Sequence, residues 1–168
     1  MPTGTLVSVQ EYLSTSYDPD RDYVDGEVLE RHVGEQDHSR LQGVLYAYLF
    51  NREKQWGIYV FPEQRVQVSR TRFRIPDICA IAGSRPVGQI FTHPPFLCIE
   101  ILSPEDTMTR MQERIDDYLK FGVQHVWVLD PRTKRAWDYT TAGMREARDG
   151  VLRTADSETT IPLAEIFS

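Results

Sequence analysis

Apolar residues recur along the chain with two periods, and the alternation between them sketches a fold. Ser8 followed by Val9, Tyr12 and Leu13 predicts a short capped helix. Tyr23-Val24-Asp25-Gly26-Glu27-Val28-Leu29 reads as two strands about an Asp-Gly turn, a dipeptide that accepts the positive φ of a tight hairpin. Leu41, Val44, Leu45, Tyr48 and Leu49 fall at helical spacing, with Asp37 as the expected cap. Extended runs follow at Ile58 to Phe61 and Arg65 to Val68, broken or bent at Pro62. Another spans Phe73 to Ala82, and beyond a Gly- and Pro-rich loop from Gly83 to Pro95 comes Phe96 to Leu102. A second long helix is expected to open over Ser103 to Asp106 and to end at Gly122, with Met108, Met111, Ile115, Tyr118 and Leu119 on its core face. His125 to Asp130 predicts a buried strand stopped by Pro131. Trp137 to Tyr139, Met144 to Ala147 and Val151 to Thr154 predict meander strands, and Ile161 to Phe167 a terminal helical turn. Central strands with a long helix on either side in sequence predict a mixed β-sheet flanked by helices, an α/β or α+β domain. With no repeats or linkers, residues 1–168 are expected to form a single domain.

Charge and composition narrow the function classes. Nineteen Lys and Arg against 25 Asp and Glu give a net charge of −6, which counts against a bulk nucleic-acid coat, since such proteins neutralise phosphates with basic surface. An enzyme that handles phosphate locally, through a metal ion and a few arginines, stays compatible. Two cysteines exclude a disulfide scaffold, and the apolar runs are too short for a membrane span. The amino terminus lacks the basic stretch and apolar core of a signal peptide, so a cytoplasmic location with reduced thiols is expected.

The chemistry gathers where polar groups interrupt apolar strands. In Phe96 to Leu102 one face carries Phe96, Cys98, Glu100 and Leu102, the other Leu97, Ile99 and Ile101. Both faces are apolar except for Glu100, and a buried carboxylate costs several kcal/mol unless paired, protonated or metal-bound. In Ile75-Pro76-Asp77-Ile78-Cys79-Ala80-Ile81, Asp77 intrudes in the same way, beside a proline that cannot donate to a ladder. An antiparallel register that sets Cys79 opposite Cys98 also sets Asp77 opposite Glu100. Two anions that close share a proton or hold a cation, and a hard dication such as Mg²⁺ or Mn²⁺ suits oxygen ligands. The plainer reading is a structural ion pair, with Arg65, Arg72, Arg74 and Arg114 as the available guanidiniums.

Arg74-Ile75-Pro76-Asp77 followed by Ile99-Glu100-Ile101-Leu102-Ser103-Pro104 resembles the PD-(D/E)XK nuclease superfamily, and more closely the Uma family of bacterial restriction endonuclease-like proteins, formerly a domain of unknown function. The resemblance extends to Tyr23-Val24-Asp25-Gly26-Glu27, His38, Phe61-Pro62-Glu63-Gln64, and Tyr118 with Gly122-Val123 before Val126-Trp127-Val128-Leu129-Asp130-Pro131. It implies a restriction-endonuclease-like core in which Asp77, Glu100 and the backbone carbonyl of Ile101 hold Mg²⁺ or Mn²⁺, and a metal-bound water attacks a phosphodiester. The superfamily lysine would stand at Leu102. In the Uma branch the basic residue comes from the following helix, four before the tyrosine, which here is Arg114; Lys120 falls on the wrong face. Arginine keeps the charge but does not readily give up a proton as a base.

Around that pair, Glu63 is a candidate cleft residue or a surface strand end, and His38 a candidate proton shuttle or a local hydrogen-bonding residue. His32, His93 and His125 have no ligand spacing with the cysteines, so a zinc site is not expected; Cys79, Cys98, Trp127, Met108 and Met111 read as core. Arg70, Arg72 and Arg74 read as backbone contacts or as a solvated basic turn. The expected partner is nucleic acid, DNA before RNA, with a homodimer as the fold-level expectation. Two rivals stand beside the endonuclease: a catalytically lapsed binding or assembly domain of the same fold, and a metal-free hydrolase that uses the carboxylates as acid and base.

Overall fold

The computed structural model describes residues 4–155 and 158–167. Along the chain these form α1 (Val9–Ser14), β1 (Asp22–Val24), β2 (Glu27–Leu29), α2 (Gln36–Phe50), α3 (Glu53–Trp56), β3 (Ile58–Pro62), β4 (Val66–Ser69), β5 (Arg72–Arg74), β6 (Ile78–Ala82) and β7 (Leu97–Ile101). There follow α4 (Met108–Phe121), β8 (His125–Asp130), β9 (Arg135–Thr140), β10 (Gly143–Glu146), β11 (Val151–Arg153), β12 (Thr160–Pro162) and α5 (Leu163–Ile166). Among the described residues the strands form a six-stranded sheet in the order β10-β9-β8-β7-β6-β3, a four-stranded sheet β2-β1-β5-β4, and the β11–β12 pair. Only β7 and β8 run parallel in the large sheet, joined by α4, so the architecture is the mixed sheet with flanking helices that the pattern predicts.

Alternation in β7 assigns its two faces. Leu97, Ile99 and Ile101 pack with Leu41, Leu45 and Leu49 of α2, three buried residues at helical spacing. Cys98 turns to the opposite layer with Met111, Ile115 and Tyr118 of α4. A third cluster, Tyr12, Tyr23 and Phe73, fastens α1 to the small sheet, and the Tyr12 hydroxyl donates to the Arg21 carbonyl. No described helix is long and apolar enough to cross a membrane.

The register of β6 on β7 is the one read from sequence, with Cys79 paired to Cys98 and Ile78 to Ile99; Asp77 lies just before β6, and its side chain accepts the N–H of Ile101, the residue after Glu100. Several expectations need correction. Phe73 to Ala82 is not one strand; the chain leaves the small sheet after Arg74, and Ile75-Pro76-Asp77 carries it across to β6 in the large sheet. Likewise Ile58 to Phe61 and Arg65 to Val68 lie in different sheets. Asp37 lies in the first turn of α2, whose cap position is Glu35. α4 opens at Met108 rather than over Ser103 to Asp106, capped by Thr107, whose side chain accepts from the Arg110 N–H. Met108 is therefore 91% exposed and not core. Phe96 packs with the α2 layer instead of the Cys98 side, and Ile161 belongs to β12, with α5 confined to Leu163–Ile166.

Candidate active site

Asp77 sits in the crossing between the two sheets because Pro76, which lacks an N–H, ends the β5 ladder there. Its backbone carbonyl accepts from the Glu63 N–H (3.1 Å) and Gln42 Nε2 (3.1 Å), which fix the crossing against β3 and α2. Its side chain is fully engaged: Oδ2 accepts the Ile101 N–H (2.7 Å) and faces His38 Nε2 (3.3 Å), while Oδ1 accepts from Arg31 Nη2 (3.3 Å). Burial would push this carboxyl up, but the His38 hydrogen bond, the charges of His38 and Arg31, and the Ile101 N–H hold it below the usual aspartate range. Burial disfavours the His38 cation too, yet Asp77 and Glu100 together raise it above its ordinary value.

Glu100 projects from β7 toward α4. Tyr118 donates its hydroxyl to Oε1 (2.6 Å), and Arg114 Nη1 donates to Oε2 (3.2 Å). Spaced four apart on α4, these two side chains reach the strand together. Burial raises the Glu100 carboxyl to about 7; Arg114 and the Tyr118 hydrogen bond oppose this, while the negative charges of Asp77 and Asp22 add to it. Tyr118, pushed well up by its own burial, remains a phenol and a donor.

Beneath both acids lies Asp22 on β1, with no exposed surface. It accepts the Ile75 N–H (3.1 Å) and Arg74 Nη1 (3.2 Å), and lies 3.5 Å from Arg114 Nε and 4.0 Å from Arg31 Nε. Three guanidiniums thus converge on one carboxylate. Arg74 also donates Nε to Asp117 on α4 (2.8 Å), and Arg72 pairs with Asp117 (2.7 Å) and Asp25 (2.8 Å).

The arginines expected as neutralisers therefore divide. Arg114 meets Glu100, whereas Arg65 pairs with Asp20, and Arg72 and Arg74 are spent on Asp22, Asp25 and Asp117 rather than forming a free basic turn. Glu63 is exposed at the rim, 3.8 Å from Arg31. Lys120 is exposed and lines a different depression with Tyr139. His125 is tied to Asp138 (3.1 Å) and His32 to Glu105 (2.8 Å). Arg31 and Asp22 escaped the sequence reading: Glu30-Arg31-His32 looks like a solvated loop, and Asp22 ends a polar run, Asp18 to Asp22. Tyr118 was legible as a core residue and as the motif tyrosine that follows Arg114, but not as the partner of Glu100, although a buried phenol needs a hydrogen-bond partner.

A cleft of about 170 Å³ between β1–β2 and α4 is lined in part by buried Arg74 and half-buried Arg114, and a smaller cavity of about 30 Å³ is lined by His38, Leu102 and Arg132. Neither Asp77 nor Glu100 lines either of them.

A family model for Uma2, described as "Putative restriction endonuclease", matches residues 9–164, nearly the whole chain. The chain belongs to the Uma2 family. Among solved structures, a protein described as a putative nuclease of a domain-of-unknown-function family from Anabaena variabilis is similar over 96% of this chain and 97% of its own, with 23% identity and a TM-score of 0.84. That likeness shows the shared fold. No curated protein matches the chain.

The Uma2 resemblance implies a metal, so the donor set must be asked whether it fits one. Two buried carboxylates in adjoining register are the right chemistry for a hard dication. Yet all four of their oxygens are engaged, by Arg31, His38, the Ile101 N–H, Tyr118 and Arg114. Among the described residues, no group of three or more His, Cys, Asp or Glu is gathered in a metal-holding arrangement. The acids fit an ion by type and placement, and admit one only if guanidiniums withdraw.

Proposed function

We propose that this Uma2 chain is a nuclease that hydrolyses phosphodiester bonds in DNA, with Mg²⁺ or Mn²⁺ held by Asp77, Glu100 and the Ile101 carbonyl. The observation that carries the reading is the burial of Asp77 just before β6 and of Glu100 on β7, with Asp77 bonded to the Ile101 N–H and His38 and Arg114 against the two acids. When bound, the dication supplies a lowered pKa for water and positive charge at the phosphate. The chain's own groups do the rest. Tyr118 orients Glu100; the Ile101 N–H keeps Asp77 ionised and fixed. Arg114, always charged and lining the cleft, meets the charge that builds on phosphate oxygens. His38 faces Asp77, which with Glu100 favours its cation, and it is the imidazole beside the acids able to release or accept a proton. Free, buried Cys79 and Cys98 accord with a cytoplasmic location.

Arg114 in the position of a lysine, and the engaged carboxylate oxygens, favour a second reading: a lapsed domain that retains DNA without cutting it. Plasmid nicking in Mg²⁺ and in Mn²⁺ decides. The nuclease reading expects cleavage that EDTA stops and that Glu100→Gln lowers about 100-fold or more. Tight DNA retention without cleavage supports the lapsed domain, and cleavage that survives EDTA assigns the acid pair a metal-free role.

A further inference from the structure

Each site acid carries its own guanidinium, and both guanidiniums reach the same third carboxylate. Arg114 spans Glu100 (Nη1 to Oε2, 3.2 Å) and Asp22 (Nε to Oδ2, 3.5 Å). Arg31 spans Asp77 (Nη2 to Oδ1, 3.3 Å) and Asp22 (Nε to Oδ1, 4.0 Å), with Glu63 Oε1 at 3.8 Å on its outer side. The bonding is not saturated: Arg31 Nη1 and Arg114 Nε are buried without a hydrogen-bond partner. These two arginines have donors to spare and a second anion already within a small movement. Asp22 itself accepts from the Ile75 N–H and Arg74.

We infer that Arg31 and Arg114 are resident surrogate cations of the acid pair, and that Asp22 is the positioning carboxylate that retains both when a dication displaces them. The inference rests on reading Asp77 and Glu100 as a cation site. The physical ground is charge balance. Three buried carboxylates at Asp22, Asp77 and Glu100 face Arg31 and Arg114, with Arg74 shared between Asp22 and buried Asp117 and with His38 also against Asp77. A dication added to that set meets two positive charges on its own ligands. Shifting both guanidiniums toward Asp22 lowers that repulsion and keeps each arginine against an anion, although one carboxylate offsets only one of their two charges; an arginine with no anion at all is the costlier alternative. Leu102 at the superfamily's lysine position brings no charge of its own, so the basic groups here arrive from the loop after β2 and from α4.

The test is direct Mn²⁺ binding, by titration calorimetry and by the loss of the free-ion electron paramagnetic resonance signal, at pH 8 and without nucleic acid. Arg114→Met and Arg31→Met are expected to bind Mn²⁺ at least about tenfold more tightly than the native chain. Where Arg114→Met does not fold, Arg114→Gln, neutral but still a hydrogen-bond donor, serves instead. Asp22→Asn is expected to weaken Mn²⁺ binding more in the native background than in the Arg31→Met, Arg114→Met double variant, because only the former has guanidiniums to retain. Tighter binding in the arginine variants sustains the inference even if the native chain binds no Mn²⁺, in which case the native nuclease reading falls alone. Native binding that Glu100→Gln abolishes but the arginine variants leave unchanged overturns the inference and spares the nuclease reading. A folded double variant that binds no Mn²⁺ overturns both.

Discussion

Glu100 is where burial and charge pull hardest against each other. Its carboxyl rises from an ordinary value of 4.5 to about 7 because burial and two neighbouring anions outweigh Arg114 and Tyr118. The folded state therefore holds a proton that the unfolded chain releases earlier. The stability this lends is complete below pH 4.5 and is lost as the pH climbs through 7. Glu100→Gln removes that dependence while keeping the shape. We expect the variant's melting temperature to gain on the native chain's between pH 4.5 and 7, and scanning calorimetry across that window checks it. Asp77 works in the opposite sense, being held low, so its contribution disappears in acid instead. At Asp22 the quantity at stake is larger. Asp22→Asn keeps an oxygen for the Ile75 N–H but strips the anion from three buried or half-buried arginines. Removing one partner of a buried pair costs on the order of 3–5 kcal/mol, which urea unfolding would register as a lower midpoint at unchanged slope. Sequence alone made Asp77 and Glu100 legible because each breaks an apolar alternation. Asp22 breaks none: it ends an already polar run, and only the fold turns it inward.

The helix α4 carries the site across the gap between the two sheets. Arg114 and Tyr118 reach Glu100 on β7, and Asp117, between them in sequence, holds Arg72 and Arg74 of β5. Its ends are set by local chemistry. Thr107→Ala removes the cap on the Arg110 N–H and should cost about 1 kcal/mol. At the other end Gly122 has φ +115°, and an added Cβ would meet Pro94 Cγ at 3.3 Å, so Gly122→Ala is expected to cost more than about 1 kcal/mol. Chemical denaturation of both variants measures these, with the larger loss at Gly122. Elements with local signals were read correctly from sequence: the Asp25-Gly26 hairpin, the α2 face, the Gly122 stop, and the register that pairs Cys79 with Cys98. The break at Ile75-Pro76-Asp77 was legible only in part: Pro76 signals a bulge, an edge or a strand start beside Asp77, and β6 does start at Ile78, but the change of sheet between β5 and β6 is a tertiary event with no local period. Met108 failed for a related reason: it has helical spacing with Met111 and Ile115, but Thr107 caps the helix just before it, and its turn lies outside the packed layer.

For the molecule as a whole, a net charge of −6 coexists with a site built around arginines, and the two facts are reconciled by internal pairing. Arg31, Arg65, Arg72, Arg74 and Arg114 each already hold a carboxylate. On the proposed reading, a phosphate that enters the cleft lined by Arg74 and Arg114 replaces an internal anion rather than releasing a condensed counterion to a free basic surface. Counterion release sets the salt dependence of nucleic-acid binding, at a slope of about −0.9 per neutralised phosphate on duplex DNA. For this chain we expect log Kobs against log salt concentration to be shallow, no steeper than about −3, read on Glu100→Gln, the variant expected to cleave least on the nuclease reading. Fluorescence anisotropy on a short labelled duplex, with Mg²⁺ held constant and monovalent salt varied, gives the slope. A value near −6 would mean that an unpaired cationic face elsewhere on the surface carries the DNA. Arg40, Lys54 and Arg70, on or beside α2, α3 and β4, would then be the side chains to neutralise first. A shallow slope places the electrostatic work inside the arginine–carboxylate network, where exchange of partners, rather than attraction from a distance, governs entry of the phosphate.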